Sequence, residues 1–166
     1  MMMKIALGAS FFALLGAISA HAQPTMVKQF SAWGVYSYDD NGKNSCYLLT
    51  APSSKEPSNV YHGNNYFIVA PASGSKAHYE PQARMGYPLK SGPTVIVRIG
   101  DETFHMFTKD NSAWMRNEAR VGEMIEAMRS GHDMQVEATS QRGTATKYSY
   151  SLNGVTPALK RLNSCN

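Results

Sequence analysis

Several absences narrow what this chain can be before any motif is sought. Only two cysteines occur, Cys46 and Cys165, and no Cys-x-x-Cys pair is present. That removes thiolate zinc sites and thioredoxin-like redox chemistry. No His-Glu-x-x-His occurs, and His62, His78, His105 and His132 stand far apart in sequence. A metal centre would need ligands gathered from distant segments, and no metal site is expected. There is no G-x-G-x-x-G and no glycine-rich phosphate loop, so no cofactor is expected either. Ser73-Gly74-Ser75-Lys76 lacks the G-x-S-x-G pattern of a nucleophile elbow. Asp39-Asp40-Asn41-Gly42 lacks the spaced acidic ligands of a calcium loop. No catalytic residues are therefore assigned.

Charge of one sign is also scarce. Lysine and arginine number 16 against 12 aspartate and glutamate, and they are scattered along the chain. Nucleic-acid binding asks for a basic stripe or patch, which is missing. Long apolar runs are confined to the beginning. Lys4 is followed by an apolar stretch from Ile5 to Ile18, then by the small-x-small pattern Ala20-His21-Ala22. The run falls short of the roughly 20 residues that span a bilayer. Residues 1–22 read as a cleaved secretory signal, and Gln23 as the start of a single mature domain, 23–166, with no transmembrane span.

What is present is mostly β-strand. Phe30–Thr50 reads as two strands joined at Asp40-Asn41-Gly42, because Asn and Gly tolerate the positive φ of a tight hairpin. Trp33 and Val35 alternate with Tyr36 and Tyr38, assigning them to opposite faces. Gln23–Gln29 reads as a frayed lead-in. Ala51–Asn64, rich in proline, serine and asparagine, reads as a loop. Tyr66–Ala70 is a short buried strand. Pro71–Lys76 is a turn, and His78–Tyr87, with Pro81 inside it, is an edge or bulged strand. In Pro93–Thr108 a Gly100-Asp101 turn places Ile99 opposite Glu102, Val97 opposite Phe104 and Val95 opposite Met106. Ser112–Met115 is a brief strand.

Asn117 then suits an N-cap, and Val121, Met124, Ile125 and Met128 follow at helical spacing up to Gly131, a C′ position. Met134, Val136 and Ala138, then Tyr148, Tyr150 and Leu152, alternate as two further strands about a turn at Arg142-Gly143. Val155–Leu162 suits a short helix with Pro157 in its first turn. The fold class expected is mainly β: an antiparallel sandwich or barrel-like domain with two short helices, about 118–130 and 155–163.

Two cysteines in an exported chain most simply form one disulfide, Cys46–Cys165. Closing a loop of about 120 residues contributes roughly 5 kcal/mol by chain entropy, and real bonds often give less. Pairing between chains is the alternative. Aromatic residues near the loop-rich segments, Tyr61, His62, Tyr66 and Tyr79, form a candidate recognition surface. For any single tyrosine the competing assignment is a half-buried ring filling a sheet face.

The stretch FSAWGVYSYDDNGKNSCYLLTAPSSKEPSNVYHGNNYFIV resembles the invasion-associated locus B family of α-proteobacterial envelope proteins. The resemblance continues through MGYPLKSGPTVIVRIGDETFHMFT, SAW with its following helix, and SQRGTATKYSYSLNGVTPALKRL. It implies an exported, β-rich domain of the periplasm or outer membrane, with a family name linked to host-cell invasion. No activity, cofactor or catalytic residue comes with the family. The chain departs from the family pattern where His62 precedes Gly63 in place of arginine, and where Val155 follows Gly154 in place of an aromatic. The first would alter a loop contact and the second core packing.

The function expected is a non-enzymatic envelope module that binds an envelope protein, a glycan or a host surface. The competing class is a periplasmic hydrolase or enzyme inhibitor with a dispersed polar site. N-terminal mass spectrometry of the exported protein is expected to begin at Gln23. Retention of residues 1–22 would make the leader an anchor instead.

Overall fold

Alternation along the first hairpin sorts its side chains into a dry face and a wet one. In the computed structural model, which describes residues 23–40, 42–72 and 78–165, β1 (Thr25–Phe30) leads into β2 (Trp33–Asp40) and β3 (Lys43–Thr50). Tyr36 pairs with Tyr47, and Asp40 with Lys43. Gly42 takes φ +82° and donates its N–H to Asp39 Oδ1 at 2.9 Å. This is the tight turn that the Asn-Gly pair demands, although Asn41 itself lies outside the described residues. Trp33, Val35, Cys46 and Leu48 are buried, whereas Tyr38 is exposed.

The remaining elements are β4 (Ser54–Glu56), β5 (Tyr66–Pro71), β6 (Tyr79–Arg84), β7 (Val95–Ile99), β8 (Glu102–Lys109) and β9 (Ser112–Met115). A 3₁₀ turn at Glu118–Arg120 then runs into α1 (Val121–Ser130), followed by β10 (Asp133–Thr139), β11 (Ala145–Ser151) and α2 (Val155–Asn163). The strands form one antiparallel sheet in the order β1-β2-β3-β5-β6-β9-β8-β7-β10-β11-β4. The mainly β class with two short helices holds, and the sheet is not closed into a barrel. The β7–β8 register is the expected one, with Val95 opposite Met106 and Val97 opposite Phe104. Their inward face is fully buried, each such side chain contributing about 1.5–3 kcal/mol.

The two ends of the sheet nevertheless meet. Ala32 N–H donates to Asn153 O at 3.2 Å, and Trp33 Nε1–H donates to Ser151 O at 3.0 Å. Helix α2 packs across this junction on β1, β2 and β3, with Val155, Ala158, Leu159 and Leu162 inward. Beyond it, Cys165 is bonded to Cys46 on β3 within the same chain, with Cα atoms 6.2 Å apart.

Four local expectations change. Residues 25–30 are not a frayed lead-in but strand β1, paired with β2 through a bulge between Met26 and Lys28. Its side chains are mostly exposed, so no hydrophobic alternation announces it. Within the expected loop 51–64, Ser54–Glu56 pairs with Lys147–Ser149, and Pro52 and Pro57 flank this short ladder. Strand β6 is interior, lying between β5 and β9. Pro81 fits because β9 pairs only with Gln82–Arg84, leaving no ladder donor to miss at Pro81 on that side. Gly131 ends α1 in an extended conformation, φ −80°, not as a left-handed C′ residue. A Cβ there would lie 2.8 Å from Ile99 Cγ2 and 2.9 Å from Ala127 O, so close packing is what requires glycine. Two sequence segments stay untested, because residues 1–22 and the centre of the 71–76 turn lie outside the described residues.

Gly154 has φ +92°, and an added Cβ would overlap the carbonyl oxygen of Phe30. Gly154→Ala is therefore expected to cost about 3 kcal/mol or more, combining left-handed strain with overpacking. Gly143→Ala, with φ +89° but open space around it, is expected to cost only about 1 kcal/mol. Denaturant titration of both variants checks the ranking. Equal losses would mean that the Phe30 contact is unimportant.

Candidate functional site

The wet face of the hairpin does not end at β3. Leu49 on β3 pairs with Ile68 on β5, and Ile68 pairs with Gln82 on β6. Residues directly opposite one another in a ladder project to the same side. Tyr66 on β5 likewise faces Arg84 on β6. These outward side chains floor an open groove of about 770 Å³, whose walls include Tyr38, Tyr47 and Tyr61. The row continues past the groove: Gln82 pairs with Trp114 on β9, and Trp114 with Phe107 on β8. Those two rings stack with centroids 5.9 Å apart.

The tyrosines hold one another in place. Tyr36 and Tyr47 stack at 5.6 Å with planes 16° apart, and Tyr38 tilts against Tyr47 at 5.9 Å. Partial burial pushes the Tyr47 phenol above its ordinary range, with Tyr36 and Tyr38 adding to the effect and the Arg84 charge opposing it. Tyr61 stands 93% exposed at the rim. Such a surface can stack planar or C–H-faced ligands on aromatic rings. It can also offer hydrogen bonds from Gln82, Asn64 and Asn111.

Tyr61 is held outward because its neighbour is held inward. His62 is buried, with Nε2 2.9 Å from Pro57 O and Nδ1 2.8 Å from Tyr148 Oη. A carbonyl can only accept, so Nε2 donates to Pro57 O, while Nδ1 lies within hydrogen-bond reach of the Tyr148 hydroxyl. The chain of hydroxyls continues from Tyr148 to Tyr87 at 3.0 Å and on to Thr146 at 2.6 Å. Burial, followed by the Tyr87 hydroxyl, drives the Tyr148 phenol far above its ordinary range. The other side of the loop is tied by Asn65, whose side-chain NH₂ donates to His62 O and whose Oδ1 accepts from Gly86 N–H. Gly63 and Gly86 pass close enough that a Cβ on either would strike the other strand's backbone.

Of the four residues expected at a recognition surface, the structure brings Tyr61 and Tyr66 together in the groove. His62 is removed from it, being an internal anchor and not a contact residue. Tyr79 lies elsewhere, half-buried near α1, with its hydroxyl donating to Asn163 Oδ1 at 2.7 Å. The departure from the family pattern at His62 thus falls inside the protein, and Val155 is a core residue. Sequence reasoning missed Tyr38, Tyr47 and Arg84 as groove residues. The outward parity of Tyr38 was readable, but nothing local places Arg84 two strands away from Tyr47.

His78, His105 and His132 do not converge on a cleft. His78 borders a separate hollow of about 570 Å³ beside α1, His105 projects from β8, and His132 precedes β10. Among the described residues, no group of three His, Cys, Asp or Glu is placed to hold a metal ion.

Comparison with known proteins places this geometry in context. The family model described as invasion associated locus B (IalB) protein matches residues 33–163. Among solved structures, the fold is similar to invasion associated protein B from Bartonella henselae. The TM-score is 0.61 at 12% identity, covering 84% of this chain and 96% of that one. At that identity the likeness shows the fold alone. No curated protein matches the chain. The matched span contains nearly all of the groove but stops short of β1 and Cys165.

His62→Ala would remove one of the two partners of the Tyr148 hydroxyl and the partner of the Pro57 carbonyl, and would empty the buried imidazole site. The expected loss is about 2–4 kcal/mol. Tyr150 provides the contrast, since its buried hydroxyl has no hydrogen-bond partner among the described residues. Tyr150→Phe is expected to be neutral or to stabilise by about 1 kcal/mol. Thermal melts of both variants decide the matter. A His62→Ala protein as stable as the wild type would show that the buried imidazole anchors nothing.

Proposed function

The chain belongs to the invasion associated locus B (IalB) family, and on that premise we propose that it is an exported, non-enzymatic binding module of the cell envelope. The observation that carries this reading is the tyrosine groove over β2, β3, β5 and β6. Its rings are braced from behind by a rigid sheet and open to solvent in front. Rigid aromatic side chains lose little conformational entropy on contact, which is why recognition surfaces favour them. The intrachain Cys46–Cys165 bond is in keeping with an oxidising compartment such as the periplasm. A contribution to adhesion or host-cell invasion is the wider role that the family description suggests.

A hydrolase would ask for a nucleophile, base and carboxylate within hydrogen-bond reach in one cleft. His62 is already committed to Pro57 and Tyr148, and His78, His105 and His132 stand on separate elements. The groove itself is lined by tyrosines, carboxamides, one arginine and apolar side chains such as Leu49, Ile68 and Met85, a set suited to holding a ligand.

A photo-crosslinking residue placed at Tyr61 in living cells is expected to capture an envelope or surface component. The same residue placed at exposed Lys160 on α2 is expected to capture none. Equal capture at both positions, or capture at neither, would remove the groove from consideration as the binding face.

A further inference from the structure

We propose that the groove takes an acidic saccharide, with pyranose rings laid on its tyrosines and a ligand carboxylate held by Arg84. This deepens the binding-module reading and rests on it.

The backbone beneath the groove is already spent. Strand β3 is paired on one side with β2 and on the other with β5, and β5 is paired with β3 and β6. Along Leu48–Thr50 and Phe67–Val69, at the floor of the groove, a peptide cannot add itself as a strand, because the ladder groups it would need are satisfied. Recognition has to run through side chains.

Those side chains are of two kinds. The first is a set of aromatic faces, Tyr47 with Tyr38 beside it and Tyr61 above. A ring face carries a negative quadrupole. One face of a pyranose is a sheet of weakly positive C–H groups, so sugar and ring stack with little desolvation cost. The second kind is planar and polar: Gln82, Asn64 and Asn111. Carboxamides pair donor and acceptor at the spacing of vicinal hydroxyls.

Charge then selects among saccharides. Among the described residues no aspartate or glutamate lines the groove, and the one charged residue there is Arg84. Arg84 is exposed, and no carboxylate pairs with it among the described residues. A free guanidinium matches the two oxygens of a carboxylate through parallel hydrogen bonds. Length favours a polymer over a single sugar. The outward row runs on from Gln82 to Trp114 and Phe107, giving a second stacked aromatic pair farther along the same face.

The test is calorimetric titration of the disulfide-bonded mature protein. The probes are hyaluronan hexasaccharide and galacturonate hexamer as acidic saccharides, chitohexaose as a neutral one, and hexaglutamate as an acid without sugar rings. Both acidic saccharides are expected to bind more tightly than chitohexaose or hexaglutamate. Arg84→Gln and Tyr61→Ala, both at exposed positions, are each expected to weaken that binding by about tenfold or more. Lys160→Gln removes the same charge outside the groove and should leave it unchanged.

Failure of both acidic saccharides to bind at millimolar concentration would overturn the proposal. So would tighter binding of hexaglutamate, or an equal loss with Lys160→Gln. If the residue crosslinked from Tyr61 in cells is a polypeptide while neither saccharide binds, the ligand class is wrong and the binding-module reading survives. If nothing is captured either, both fall.

Discussion

The structure turns on one junction, where the start of β2 meets the end of β11. Trp33 is fully buried, and its indole N–H must find an acceptor inside the protein. It finds Ser151 O, 118 residues away in sequence. Beside it the Phe30 carbonyl runs so close to Gly154 that no side chain fits between them. Helix α2 starts at that point, covers the junction with its apolar side, and delivers Cys165 to Cys46. An eleven-stranded sheet with open edges is thereby drawn round on itself without a closing ladder. Two isolated hydrogen bonds, one helix and one disulfide do the work that an eleventh ladder would do in a barrel.

The groove depends on that junction indirectly. Two outward tyrosines of β2 and β3 are held by inward neighbours in the core: Tyr36 by Val35, and Tyr47 by Cys46 and Leu48. The same rule operates in the loop before β5. Tyr61 is exposed because His62 is committed inward to Tyr148 on β11. Asn65 fixes the far side of that loop to Gly86. Alternation, a device for building cores, here also sets the orientation of the binding face. The orphaned Tyr150 hydroxyl does not belong to this scheme, and nothing in the structure explains its retention.

Much of the local structure was legible. The Asn-Gly and Gly-Asp turns set the two hairpin registers, and the spacing of Val121, Met124, Ile125 and Met128 marked α1. The alternations in β10 and β11 were equally clear. Strands β1 and β4 were not, because edge strands with exposed side chains are held by backbone hydrogen bonds, and those leave no pattern in residue type. Gly131 was recognisable as a helix end, but for the wrong reason: it makes room for Ile99 and Leu152. Of the candidate surface, Tyr61 and Tyr66 belong to the groove, whereas His62 and Tyr79 do not.

The sequence alone determined parity, turn and period: which residues of each strand point the same way, where hairpins fold back, and which helix stripe is apolar. These follow from interactions between residues close together in the chain. Only the tertiary structure decided strand order, and with it which outward side chains become neighbours. Arg84 reaches the tyrosines of the first hairpin because β6 follows β5 beside β3, and His62 is buried because β11 lies under its loop. Such pairings join segments tens of residues apart. Their stability comes from the assembled core, and no short stretch of sequence carries the signal.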